Sequence, residues 1–204
     1  MNILFAASQM NPFTGESEQG EFTRALSGEL VQLGHHVRVA LPLLSSIRRY
    51  WDELKPEIAI ELTIPSGEIN EKVIIYRTLL AESGIEFYLI ENDQLFKKPD
   101  TEPKSGPGSD WQAEPLSWCW LSQALLAGFE DDDWTPDIIH LNGYQFGPVA
   151  AMLKQEDRQA RYPKTASVLT ILDLAEQGIL ATDQLSEWPQ LTDILRQITG
   201  SAKR

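Results

Sequence analysis

Short, continuously apolar runs alternate along this chain with stretches whose apolar positions recur at helical spacing. Residues 3–7 (Ile3, Leu4, Phe5, Ala6, Ala7) form the first such run, the pattern of a parallel strand covered on both faces. After a polar loop carrying Pro12, Gly15 and Gly20, the residues Phe22, Ala25, Leu26, Leu30 and Leu33 repeat with helical period, and Gly34 supplies a stop. Residues 37–42 are again strand-like, so the chain opens with a βαβ unit, whose crossover should be right-handed. Strands are then expected at 58–64, 73–76 and 87–90, with Glu61, Thr63, Glu68 and Lys72 leaving at least one hairpin half exposed. Trp118, Leu121, Leu125 and Phe129 predict a helix over 115–129, followed by an acidic solvated turn at 130–133. A strand at 137–141, a helix over 147–154, a strand at 166–171 and an amphipathic helix at 191–198 complete the pattern. The sum predicts an α/β fold: one Rossmann-like, doubly wound, mostly parallel sheet with a small β-hairpin excursion. Residues 97–110 hold three prolines and two glycines among polar residues and are expected to be a flexible loop inside a single domain spanning 1–204.

Composition narrows the partners. A chain of 204 residues makes one full-sized domain, not two. Its formal charge of −13 opposes nucleic-acid phosphates and anionic lipid, so neither is an expected partner. Cys119 is the single cysteine, which excludes an internal disulfide and fits a reducing compartment. No run of about 18 apolar residues exists, and the N-terminus lacks the basic segment of a signal peptide, so a cytoplasmic location is expected.

Candidate chemistry belongs in the loops that leave the carboxyl ends of the strands, at 9–20, 142–146 and 172–178. The first contains Gly15, Glu16, Ser17, Glu18, Gln19 and Gly20, which match neither a dinucleotide fingerprint nor a P-loop. The three loops hold no Lys or Arg but do hold Glu16, Glu18, Asp173 and Glu176, a field that disfavours pyrophosphate. A neutral sugar meets no such opposition. Asn142, Gln145, Asp173 and Gln177 can fork onto hydroxyl pairs and Tyr144 offers a stacking face, although the same residue types also end strands and cap turns. His140, at the end of a buried strand, reads either as a core histidine or as an acid or base. No metal or cofactor is expected: His35 and His36 face opposite ways, and Glu16, Glu18, Glu21 and Asp173 lack cation-loop spacing. Cys119 has no adjacent activating cation and reads as core. Trp118 and Trp120 cannot share one helix face; together with Trp111, Trp134 and Trp188 they serve packing, sugar stacking or a protein interface.

Several segments carry a resemblance. Residues 2–8, Asn11-Pro12-Phe13, Gly20-Glu21-Phe22 and Ala25-Leu26 resemble the opening of bacterial glycogen synthases and plant starch synthases. Residues 33–42 resemble that family's "LGHxVRVxxP" stretch, 136–140 its "PDVVHAHDWH" strand, 118–126 its "FFSRAAL" helix and 170–178 its "TIHNLAYQG" segment. The resemblance covers about 1–180 and implies one half of a GT-B glycosyltransferase of family 5, the half that binds mainly the glucan acceptor. The functional positions depart from the pattern. The lysine of the family's "KTGGLGD" donor loop is Gly15 here, and its paired glycines are Ser17 and Glu18. Of the strand histidines only His140 is kept; the others are Asn142 and Gln145, and the tryptophan between them is Tyr144. The His-Asn pair of the third loop is Leu172-Asp173, and its tyrosine is Glu176. The expectation is a degenerate, stand-alone domain without transferase activity by itself, which holds an α-glucan (a maltooligosaccharide) or a protein partner. The alternatives are the acceptor-side half of a split ADP-glucose-dependent glucosyltransferase completed by a separate C-terminal half, and a pure protein-interaction module.

Overall fold

The computed structural model describes residues 1–66, 69–92, 115–130 and 134–172. The expected loop at 97–110, the helix at 191–198, Asp173, Glu176, Gln177, Trp111 and Trp188 lie outside the described residues, as do the side chains of Trp118 and Cys119. Among the described residues no helix is long and apolar enough to cross a membrane, and no group of three or more His, Cys, Asp or Glu is placed to hold a metal ion.

Among the described residues seven strands form one sheet: β1 (Asn2–Ala7), β2 (His36–Pro42), β3 (Glu57–Ser66), β4 (Ile69–Leu80), β5 (Ile85–Glu91), β6 (Ile138–Asn142) and β7 (Ala166–Thr170), in the order β3-β4-β5-β2-β1-β6-β7. The pairs from β5 through to β7 are parallel, and β3-β4 and β4-β5 are antiparallel. The hairpin excursion is therefore an antiparallel extension of the main sheet. β5 returns to lie beside β2, which leaves β3 on the outer edge among the described residues. There Glu61 pairs with Lys72 at 2.6 Å, and the register shifts between Ile58 and Ile60.

Helix α1 (Glu18–Gln32) makes the β1-to-β2 crossover, and Gly34, with φ of +85°, ends it in a conformation that favours glycine. Its buried face differs from the expected one. Gly20, Thr23 and Ser27 point into the sheet, Phe22, Leu26 and Leu30 are half-buried flanks, Ala25 is exposed, and Leu33 is 72% exposed. Small residues let the helix sit close to the strands, and their hydroxyls are satisfied within the helix. Thr23 Oγ1 donates to the Gln19 carbonyl at 2.9 Å and Ser27 Oγ to the Thr23 carbonyl at 2.6 Å.

Two short helices, α2 (Ser45–Arg48) and α3 (Trp51–Leu54), follow β2 and were not signalled by periodicity. Helix α4 (Pro115–Glu130) is buried on more than one side: Leu121, Leu125 and Phe129 are buried as expected, and so are Trp120, Ser122, Ala124 and Leu126. A Cβ on Gly128 would collide with Ile75 Cδ1, so glycine sets how closely α4 approaches β4. Trp134 is half-buried between Phe129 and the Arg38 guanidinium, which lies 4.2 Å from its ring and ion-pairs with Glu86 at 2.6 Å; this tryptophan serves packing. The expected helix at 147–154 is α5 (Gly147–Met152), followed by α6 (Glu156–Arg161). Beyond α6, the Tyr162 hydroxyl donates to the Leu126 carbonyl at 3.0 Å, and burial pushes this phenol up to about 12.

Candidate functional site

β1 has β2 on one side and β6 on the other, so the order reverses between β1 and β6. In an open α/β sheet the carboxyl-end crevice at such a reversal is where ligands bind. Two loops flank it: the one after β1, and the turn of 3-10 helix at Tyr144–Phe146 after β6.

The loop after β1 is closed on itself. Its Asn11–Pro12 peptide is cis. Asn11 Oδ1 accepts from the Ser17 amide at 3.3 Å, the Asn11 amide donates to the Gly20 carbonyl at 3.2 Å, and Asn11 Nδ2 donates to Glu21 Oε2 at 3.3 Å. Ser17 caps α1, its Oγ accepting from the Gly20 amide at 2.9 Å and bonding Gln9 Oε1 in turn. A Cβ on Gly20 would strike Asn11 Oδ1, so the Asn11 side chain sits directly on the first turn of α1. Glu21 pairs with Arg24, which holds its carboxyl below the usual range. Glu16 and Glu18 are exposed beside it, and Gly15 turns the loop at φ of +88°. A helix N-terminus of this kind elsewhere receives an anion; here its own serine and asparagine occupy it and glutamates surround it.

At the end of β6 the polar groups are buried. His140 and Asn142 point to the same side of the sheet as α1. The His140 ring stacks 4.7 Å from Phe5 and 6.2 Å, edge-on, from Phe22, and its Nε2 meets Thr170 Oγ1 of β7 at 2.7 Å. Burial lowers its pKa below the ordinary 6.5. Of the two readings of this residue, the geometry favours the core histidine, here bonded to the Thr170 hydroxyl. Asn142 is fully buried: its side-chain Nδ2 donates to Thr23 Oγ1 at 2.6 Å, and its backbone carbonyl accepts from Gln19 Nε2 at 2.9 Å.

Gly143 follows at φ of +103°, and its amide donates to the Thr170 carbonyl at 2.9 Å. The Gln145 side chain folds back over Gly143, where a Cβ would collide with Gln145 Oε1 and lie 2.9 Å from Gln19 Nε2. Asn142 Oδ1 and Gln145 Oε1 are both buried and make no hydrogen bond among the described residues. Tyr144 is half-buried, so less of its ring is open than a stacking platform would offer.

The structure thus gathers Asn142 and Gln145 with three residues that the sequence did not mark: Gln19, Thr23 and Thr170. For Thr23 a signal existed, since hydroxyls at 23 and 27 share one stripe of α1 with Gly20. The loop after β2 also lies at this end of the sheet and carries Arg48, Arg49 and Lys55, so the cation-free loops are not the whole setting. Arg48 is committed to an ion pair with Glu91, and Arg49 is exposed. Phe13 of the β1 loop packs edge-on against Tyr50 at 5.2 Å, which places the two loops side by side.

The family model described as starch synthase catalytic domain matches residues 2–201. The chain is 29% identical over 189 residues to a glycogen synthase of Geotalea uraniireducens, covering 92% of this chain and 38% of that one. It is 29% identical over 202 residues to a glycogen synthase of Aeromonas salmonicida, covering 98% and 40%. The solved catalytic domain of starch synthase IV from Arabidopsis thaliana, bound to ADP and acarbose, shares the fold with a TM-score of 0.72 at 16% identity, over 90% of this chain and 36% of that one. The chain spans about two-fifths of the length of these enzymes.

Proposed function

Because this chain belongs to the starch synthase catalytic domain family, we propose that it acts as an accessory α-glucan-binding domain of the glycogen synthase type, one that transfers no glucose on its own. The observation that carries this reading is the pair of buried amide oxygens, Asn142 Oδ1 and Gln145 Oε1, at the carboxyl end of β6, which make no hydrogen bond among the described residues. A buried acceptor left unpaired costs about 1–3 kcal/mol; a hydroxyl donor recovers it once the Gln145 side chain swings off Gly143, since neither oxygen is open to solvent in this fold. A sugar carries such donors on adjacent carbons. An ionised phosphate oxygen has no proton to give and would be repelled by both amide oxygens. Support comes from the neighbouring loop, where Ser17 and Asn11 occupy the α1 N-terminus and Gly15 stands where the resemblance places a phosphate-binding lysine. On this reading Asn142 and Gln145 bind the glucan, Tyr144 contributes an edge, and Asp173 and Gln177 remain candidates from the third loop. His140 holds the strand end and takes no proton from substrate.

A second reading has its own observation. The chain matches only 38% of the Geotalea enzyme, so it also fits the acceptor-side half of a transferase that works when the rest is supplied. The two readings share the glucan site and differ in whether activity appears on completion.

The test is a titration of the 204-residue chain with maltoheptaose and, separately, with ADP-glucose, followed by amide chemical shifts. Maltoheptaose is expected to move the amides of 142–145, and ADP-glucose to leave them in place. Binding of ADP-glucose without binding of maltoheptaose, or turnover of ADP-glucose by the chain alone, overturns the reading.

A further inference from the structure

The first turn of α1 is tied to the end of β6 at two points. Gln19 Nε2 donates to the Asn142 backbone carbonyl at 2.9 Å, and one turn later Thr23 Oγ1 accepts from the Asn142 side-chain Nδ2 at 2.6 Å. Residues four apart lie on one face of a helix, so both bonds come from a single stripe of α1. Together they fix the Gln19 amide. A carbonyl oxygen only accepts, so the atom that meets it is the amide nitrogen and not the amide oxygen. That nitrogen carries two N–H groups and commits one to Asn142; the other makes no hydrogen bond among the described residues.

A Cβ at position 143 would collide with Gln145 Oε1 and lie 2.9 Å from Gln19 Nε2. The two amides therefore border the same space over the bare side of Gly143, yet Gln145 Oε1 takes no hydrogen bond from Gln19. Asn142 Oδ1, buried at the same strand end, is a second unbonded acceptor. A fixed donor and two acceptors around one small space suit a group that both gives and accepts a hydrogen bond.

We propose that Gln19 is a specificity-determining residue of the crevice and that it selects a hydroxyl over an amine. When the Gln145 side chain swings off Gly143, a sugar hydroxyl takes that space. It donates its proton to the Gln145 or Asn142 amide oxygen and accepts the second N–H of Gln19. A protonated amine can give but not accept, so it sets its own N–H against that of Gln19, and its charge must shed water to enter. The surrounding field works in the opposite direction: Glu16 and Glu18 are exposed on the adjoining loop and attract a cation. Gln19 is what turns such a crevice toward a neutral sugar. The "KTGGLGD" pattern has leucine at this position, so the selection belongs to this chain. The inference rests on the glucan reading of the crevice.

The experiment titrates the full 204-residue chain with maltoheptaose, followed by the amide shifts of 142–145. Glucose and its derivatives with one hydroxyl at a time replaced by an amine then serve as competitors, at about pH 6, where such an amine is protonated. For the parent, at least one derivative is expected to compete about tenfold less well than glucose. In Gln19→Leu this gap should close, with maltoheptaose itself weakened. In Gln19→Glu, where a carboxylate accepts from the ammonium group, the same derivative should compete better than glucose. Melting temperatures show that each variant is folded, and Gln19→Leu decides alone if Gln19→Glu is not. A residue that only braces Asn142 would weaken every sugar alike; an unchanged ratio between glucose and the derivative in Gln19→Leu overturns the proposal. A parent that binds the whole series equally overturns it as well. Maltoheptaose that leaves the parent unmoved overturns the glucan reading and this inference together, whereas binding with an unchanged ratio overturns this inference alone.

Discussion

The Asn142 side-chain amide donates to Thr23 Oγ1 across 2.6 Å, joining the end of β6 to the buried face of α1 between residues 119 positions apart. Both groups are completely buried; Thr23 Oγ1 also donates to the Gln19 carbonyl, whereas the Asn142 Nδ2 donor has Thr23 as its partner. Thr23→Val keeps the shape and strands the Asn142 donor. The expected cost is about 1–3 kcal/mol, read as a fall of about 2–4 °C in melting temperature per kcal/mol for a domain of this size. Thr23→Ser should retain most of the stability. Equal melting temperatures for Thr23→Val and the parent would show that the pair contributes nothing.

His140 sets a pH dependence of stability. Burial holds its imidazole below 6.5 in the folded chain, so on acidification the unfolded chain takes up this proton first. Stability from this residue is therefore complete above about 6.5 and is lost as pH falls toward the folded value. Urea unfolding from about pH 8 to pH 5 should show that slope, and His140→Phe, which keeps an aromatic ring between Phe5 and Phe22, should reduce it. An identical slope in the variant would assign the dependence to other groups.

Gly143 is required twice over, by its φ of +103° and by the Gln145 oxygen folded against it. Gly143→Ala is expected to destabilise the domain by about 1–2 kcal/mol through the backbone alone. Removing the collision as well, in Gly143→Ala with Gln145→Ala, should recover only part of this. Full recovery in denaturant unfolding would mean that the backbone conformation carries no strain.

Gln145 separates an acceptor from a mere space-filler. Gln145→Ala should weaken maltoheptaose by about tenfold, the loss of one well-placed hydrogen bond. Gln145→Glu keeps an acceptor oxygen at the same place and should stay within about threefold of the parent. Calorimetric titration in which both variants bind like the parent would remove Gln145 from the site.

Much of the framework is legible in the residues. The run 3–7, the Gly34 stop and the strand at 37–42 give the βαβ opening, and the structure places them at Asn2–Ala7, Gly34 and His36–Pro42. The buried face of α1 was harder to read because apolarity is a poor guide where a helix must come close to a sheet. There Gly20, Thr23 and Ser27 win over Ala25 and Leu33, since small side chains shorten the distance and their hydroxyls bond within the helix. The candidate site divides the same way. Asn142 and Gln145 were visible as polar residues at a strand end, but their unpaired oxygens were not, because those depend on where Gln19 and Thr23 come to rest.

What the sequence determined by itself is local: which stretches are strands, where the crossover turns, and the absence of a lysine where the β1 loop meets α1. These follow from periodicity and side-chain type within a few residues of one another. Tertiary structure alone decided that Asn11 lies on the first turn of α1, that Thr23 meets Asn142, and that β7 stands exposed on both faces. Such relationships join residues far apart in the chain, and the hydrogen-bond partners and neighbours of a side chain are set by how the layers pack.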